Sequence, residues 1–144
     1  MSYVEKSLLP DERVAYRTHL NRIMFFWPVV VIVIALPLFL AGTYIGATVL
    51  LAGVIGGLAT YLRYTSSEFA VTNKRVVIKT GLIRLRTLEM LLSKVEAITV
   101  DQGIGGRMFG YGAITVIGTG GTKETFDRIA DPLEFRRAVQ AATV

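Results

Sequence analysis

Hydrophobic and polar positions change rhythm along this chain, and each rhythm predicts a different element. Residues 23–62 form one apolar run with no Asp, Glu, Lys, Arg or His, weakly broken at Ala41-Gly42-Thr43. A helix needs about 20 predominantly apolar residues to cross a hydrocarbon core of roughly 30 Å, so the run holds two helices, over 23–41 and 44–62. Joined by a tight turn, they make a membrane hairpin that returns the chain to the side it came from. A buried helical hairpin of a soluble protein is the competing reading, but the 104 residues outside the run are too few to cover two helices apolar all round.

Before the run the period is two. Val14, Tyr16, Thr18 and Leu20 alternate with Arg13, Ala15, Arg17 and His19, which reads as a half-buried strand, with a short interfacial helix as the alternative. A strand here needs a partner, and the sheet beyond the hairpin supplies one.

After Arg63 the period of two returns. Segments 68–72, 75–80, 85–92 and 95–101 are β-branched or apolar, with turn signals at Asn73-Lys74 and Thr80-Gly81, and they predict an antiparallel meander. Val76, Ile78, Leu88, Met90, Leu92, Ile98 and Val100 are the expected inward positions. A glycine-rich connection, 103–112, leads to strands 113–118 and 122–129 around Thr119-Gly120-Gly121. Finally the period becomes 3.6. Asp131, Pro132 and Glu134 form an N-cap, first-turn proline and capping-box pattern. Phe135, Ala138, Val139 and Ala142 then fall on one stripe, with Arg136, Arg137 and Gln140 opposite.

The expected fold class is therefore a membrane α-helical hairpin plus a mainly β unit. That unit is a bent antiparallel sheet or partly open barrel of six or seven strands, closed by a C-terminal α-helix. This is the pleckstrin-homology (PH) architecture. The expected domains are an N-terminal cytoplasmic segment, 1–22, a hairpin, 23–62, and a PH-like domain, 63–144.

The Thr72-Asn-Lys-Arg75 hairpin, Leu91-Leu-Ser-Lys-Val-Glu96, Gly110-Tyr-Gly112 and the Gly118-Thr-Gly-Gly121 turn resemble the bacterial PH-like domain family. In small membrane-anchored proteins this domain commonly follows a pair of transmembrane helices. The resemblance implies a PH-like fold and a membrane location, without implying a ligand or a reaction. Related bacterial PH-like domains form ring-like oligomers, so it also suggests self-association.

Charge adds orientation. The net charge of +5 divides into four Lys/Arg against three acids before the run and twelve against eight after it. Such a mildly basic domain suits an anionic leaflet, where each nearby Lys or Arg is worth about 1 kcal/mol. No basic run or aromatic-interleaved patch points to nucleic acid. Arg13, Arg17, Arg22 and Arg63 flank the outer ends of the hairpin while the connector 42–46 is uncharged. The positive-inside rule then puts both termini and the domain in the cytoplasm, at the plasma (inner) membrane. Phe25, Phe26, Trp27, Tyr61 and Tyr64 would form an aromatic belt at that interface, with Tyr44 on the far side. The run starts too late and is too long for a cleaved signal peptide, so the chain is expected to remain intact.

Chemistry is sparse. There is no cysteine, which excludes disulfides, thiolate metal sites and thiol catalysis. His19 is the one histidine, without partners at metal-ligand spacing. The acids Glu5, Asp11, Glu12, Glu89, Glu96, Asp101, Glu124 and Asp127 are scattered, and no pair takes acid and base roles. Gly118–Lys123 fails the phosphate-loop spacing and 103–112 fails the dinucleotide fingerprint; turns needing positive φ explain both. No catalytic residue, cofactor or metal is expected.

Two surface sets remain. Lys74, Arg75, Lys79, Arg84 and Arg86 flank the first two hairpins, and strand pairing would gather them on one rim. Eukaryotic PH domains hold headgroup phosphates with basic residues near that loop, so the resemblance permits the same here; a merely solvated rim is the alternative. Gly53 and Gly57 form a GxxxG pattern, read either as oligomerisation through the second helix or as packing against the first helix of the same chain. Arg107 is a separate interface candidate. The expected function is non-enzymatic: a membrane-anchored PH-like module acting in protein assembly or recruitment through self-association. Its expected partners are membrane lipids, further copies of the chain and an unidentified protein. The alternative is a sensor of anionic lipid headgroups.

Overall fold

The computed structural model describes residues 2–81 and 83–143. The chain folds into two units: one is Arg22–Thr65, and the other combines the chain before it with the chain after it.

The first segment opens with a short helix, α1 (Tyr3–Ser7), and continues as strand β1 (Val14–Thr18). Of the two readings for this region the strand is adopted, because β1 finds a ladder in β2 (Glu68–Thr72), with Thr18 opposite Phe69 and Val14 opposite Thr72. Helix α1 has no counterpart in the sequence reading. Five residues carry too little periodicity to register, and the helix is held by tertiary contact: Val4 is fully buried against Ala70 and Val77.

The second unit is a 3-10 turn at Arg22–Phe25 followed by α2 (Phe26–Leu40) and α3 (Tyr44–Ser66). The stretches Arg22–Leu40 and Tyr44–Ser66 have mean hydropathy of 2.8 and 1.9 and are long and apolar enough to cross a membrane. Their side chains are largely uncovered, with Tyr44 92% and Trp27 67% exposed. Gly42 supplies the positive φ of 75° at the turn between them, and Thr43 Oγ1 donates to the Leu38 carbonyl at 2.7 Å. At the other end of the hairpin the Phe25 and Tyr64 rings meet edge to face, 5.5 Å apart.

Beyond the hairpin, β2 is followed by β3 (Arg75–Thr80) and β4 (Arg86–Leu91), giving a four-stranded sheet ordered β1-β2-β3-β4. A three-stranded sheet, β5-β6-β7, contains β5 (Val95–Asp101), β6 (Tyr111–Gly118) and β7 (Lys123–Ala130). All ladders are antiparallel. The expected bent sheet or partly open barrel is built as two sheets that hold all seven strands, with a 3-10 turn at Leu92–Lys94 between β4 and β5. The β1 and β7 sides are stitched together. Leu20 bridges Ile129, the Ala130 N–H donates to His19 at 2.9 Å and the Asn21 N–H to Arg128 at 2.7 Å.

Helix α5 (Pro132–Thr143) closes the sandwich, burying Phe135 and Val139 against a core that includes Phe69, Val71, Val76, Ile78, Ile114, Val116 and Ile129. The expected capping box is not formed. Asp131 adopts φ 50°, its carbonyl accepts the Phe135 N–H at 3.2 Å, and the Glu134 carboxylate pairs with Arg137. Two further expectations shift. Leu88, Met90, Ile98 and Val100 are only half-buried, whereas Ala70 and Val77, on the opposite side of their sheet, are fully buried because α1 covers them. The glycine-rich connection contains a helix, α4 (Ile104–Phe109), capped by Gly110 at φ 71°.

Candidate functional site

The densest polar network in the PH-like unit ties the N-terminal segment to the sheet. Glu12 follows α1 and its side chain is wholly buried. One carboxylate oxygen accepts from Thr72 Oγ1 at 2.6 Å and Arg75 Nε at 3.0 Å. The other accepts from the Leu9 N–H at 2.7 Å and an Arg75 terminal nitrogen at 3.2 Å. Arg75 reaches further, to Glu89 at 2.6 Å and the Ser7 carbonyl at 2.5 Å. A second carboxylate, Glu68, takes Ser2 Oγ at 2.7 Å and the N–H groups of Val4 and Tyr3 at 3.2 and 3.3 Å.

Burial pushes the Glu12 carboxyl up, but the Leu9, Thr72 and Arg75 donors outweigh it and hold it below its ordinary range. Glu68 behaves alike: burial raises it, and Ser2, the Val4 and Tyr3 N–H groups and the Lys79 charge bring it below. Tyr16 moves up, through burial and then the nearby Asp131 and Glu134 charges, which outweigh a Thr18 hydrogen bond. Both glutamates are ionised clamps at neutral pH.

This network decides what the basic residues can do. Lys74 Nζ donates to the Pro10 carbonyl at 2.9 Å, Arg75 is 11% exposed inside its ion pairs, and Lys79 Nζ stands 5.2 Å over the Tyr3 ring. All three are engaged by residues 3–12. Arg86 makes an exposed pair with Glu124 at 3.3 Å, and Arg84 is exposed in the β3–β4 turn. Arg75 begins β3 and Lys74 precedes it, while Lys79 lies near its end, about 14–17 Å away at 3.4 Å per residue. The five residues therefore divide between the two ends of β3 rather than sharing one rim. Sequence reasoning missed Glu12 and Glu68 because their side-chain partners Thr72, Arg75 and Ser2 lie 60 or more positions away.

In the hairpin, Gly53 and Gly57 look onto α2. A Cβ at Gly53 would stand 3.0 Å from Ile32 and 3.1 Å from Val31, one at Gly57 3.7 Å from Pro28, and one at Gly46 would collide with the Leu38 and Phe39 backbone. Both glycines of the GxxxG spacing thus face α2 of the same chain.

Two open features lie beside β5. A groove of about 330 Å³ runs between β5 and α5, lined by Val95, Ala97, Ile98, Val139 and Thr143 among others. It lies beside an end strand, so alternate N–H and C=O groups of β5 face away from β6 without a ladder partner among the described residues. A cavity of about 750 Å³ between α4 and the start of α5 carries Asp101, Arg107, Asp131 and Glu134. Among the described residues, no three His, Cys, Asp or Glu side chains are grouped to hold a metal ion.

Two antiparallel sheets of four and three strands closed by a C-terminal helix define a PH-like fold. The chain matches the family model described as "Bacterial PH domain" over residues 28–143 and belongs to that family. It is similar to the crystal structure of a DUF1696 family protein with a pleckstrin-homology domain from Shewanella loihica PV-4. The TM-score is 0.51 at 8% identity, covering 98% of this chain and 90% of that one; at that identity the likeness concerns the fold alone. No curated protein matches the chain significantly.

Proposed function

We propose that this chain is a non-enzymatic, membrane-anchored PH-like module that assembles with copies of itself at the inner face of the plasma membrane. Anchoring is supported by two helices whose apolar surface is mostly uncovered, a surface that water penalises by roughly 25 cal/mol per Å². The arginines flanking the hairpin support cytoplasmic termini.

The observation that carries the assembly reading is the free edge of β5 beside the β5–α5 groove. An added strand gains main-chain hydrogen bonds from such an edge, and a neighbouring groove takes its side chains. Fully overlapped antiparallel pairing of two β5 strands would set Glu96 against Val100 and Ala97 against Thr99 of the second copy, with no like charges in register. β4 is an end strand too, so pairing of β5 with β4 of a second copy is the other arrangement these edges allow. A β4-to-β5 contact is heterologous and closes into a ring or runs on as a filament.

The headgroup-sensor alternative draws less support from its five residues, since Lys74, Arg75 and Lys79 are engaged by the N-terminal segment. The test is native mass spectrometry of the full-length protein in mild detergent. A discrete multimer supports assembly; a monomer carrying anionic lipid favours the sensor.

A further inference from the structure

The PH-like unit has two ends, and strand direction distinguishes them. The chain leaves along β1 at Thr18 and returns in β2 at Glu68, two residues after α3 ends. Thr18 is opposite Phe69 and Glu68 opposite Lys79, so the β3–β4 turn lies at this end. Asn21 fixes the other sheet to the same place: its Nδ2 donates to the Phe109 and Gly110 carbonyls, both at 3.2 Å. Helix α4 therefore sits at the end where the chain leaves for the hairpin and comes back.

That end carries uncovered apolar side chains. In the β3–β4 turn Ile83 is 98% and Leu85 59% exposed, and on α4 Ile104 is 84% and Met108 75% exposed. Ile104 and Met108 are four residues apart and share one side of α4. At the far end lie the turns at Asn73-Lys74 and Thr119-Gly120-Gly121 and the β4–β5 connection, where Leu9 and Leu91 are 48% and 49% exposed, less than any of these four. Single exposed leucines are ordinary on any surface. Two apolar pairs gathered at one end, every member more than half exposed and each pair with an exposed arginine beside it, Arg84 and Arg107, are not. Apolar side chains that enter the acyl boundary, accompanied by cations at phosphate level, are how interfacial elements hold an anionic bilayer.

We propose that this end of the PH-like unit is a membrane-docking surface. Ile83, Leu85, Ile104 and Met108 enter the interfacial layer of an anionic leaflet, and Arg84 and Arg107 meet its phosphates. The inference rests on reading Arg22–Thr65 as membrane-spanning, since Ser67 is the one residue between α3 and β2, and Glu68, within about 7 Å of the last residue of α3, holds this end at the headgroups. Docking end-on stands the strands upright on the membrane. The free edges of β4 and β5 then face sideways, towards neighbours in the same plane.

The chain has no cysteine, so single cysteines report cleanly. Ile83→Cys, Met108→Cys and, as the distant control, Gly120→Cys are each labelled with an environment-sensitive fluorophore in the full-length protein. Each is reconstituted in phosphatidylcholine vesicles with and without phosphatidylglycerol, and a Leu51→Cys label monitors the hairpin. The expected result is a blue shift and quenching by spin-labelled lipid at 83 and 108 but not at 120. The effect should strengthen with phosphatidylglycerol and lose that dependence in Arg84→Glu/Arg107→Glu. Labels at 83 and 108 quenched by aqueous iodide as readily as the label at 120 would overturn the proposal. A blue shift without quenching by lipid would overturn it too, indicating burial against protein. If the Leu51 label is also aqueous, the membrane-spanning reading fails, and the docking surface with it. If Leu51 is in lipid while 83 and 108 are not, only the docking surface fails.

Discussion

Arg75 Nε lies 3.0 Å from Glu12 Oε1, joining residues 63 positions apart in a pair whose carboxylate has no exposure to water. The pair fastens the N-terminal segment across the start of β3. Because Thr72 shares the same oxygen, the β2–β3 turn and the segment before β1 are set by one group.

Removing the cation should therefore be costly. Arg75→Leu leaves a buried carboxylate without its charge partner, a loss of about 3–5 kcal/mol, whereas Thr72→Val removes one hydrogen bond to it, about 1–3 kcal/mol. Thermal unfolding of the detergent-solubilised protein at neutral pH should rank the two in that order. Equal effects would mean the ion pair adds nothing beyond packing.

The same clamps predict an acid-sensitive N-terminus. Glu12 and Glu68 are both held below the ordinary glutamate value of about 4.3 when folded. Their contribution is complete above that value and is lost as pH falls through their depressed folded values. Hydrogen exchange at the Val4 and Leu9 amides should accelerate relative to β6 as pH drops below about 4. Glu68→Gln should loosen Val4 already at neutral pH while sparing Leu9, which hangs from Glu12.

In the hairpin, Gly53→Ile forces side-chain bulk against Ile32 and Val31, at a typical overpacking cost of about 1–3 kcal/mol. We expect lower thermal stability with an unchanged subunit number by native mass spectrometry. A changed subunit number would assign this helix surface to contacts between copies.

Assembly, by contrast, should respond to the sheet edge. Ala97 and Thr99 are exposed on β5, and lysine on an edge strand blocks further pairing. Ala97→Lys/Thr99→Lys should convert the multimer to monomer while leaving the thermal unfolding of the PH-like unit within about 0.5 kcal/mol of the parent, as expected for surface changes. Retention of the multimer would sink the edge-pairing model.

The sequence by itself determined the elements with strong periodicity: the apolar hairpin, six strands with inward positions such as Val76 and Ile78, and the stripe of Phe135 and Val139. These follow from the spacing of hydrophobic residues, which local geometry converts directly into faces. It also marked Gly110 and Gly120 as turn positions, where φ of 71° and 96° suits glycine. Whether residues 12–20 are strand, where α1 forms, and how Lys74, Arg75 and Lys79 are engaged were decided only by tertiary structure. Each depends on partners brought from more than 50 residues away in sequence, and the strength of a buried Glu12–Arg75 pair comes from the desolvated surroundings that folding creates. A list of cations contains no such information. The division of the basic residues between two ends of β3, and the collection of Ile83 and Met108 at one end, are likewise properties of strand direction and register.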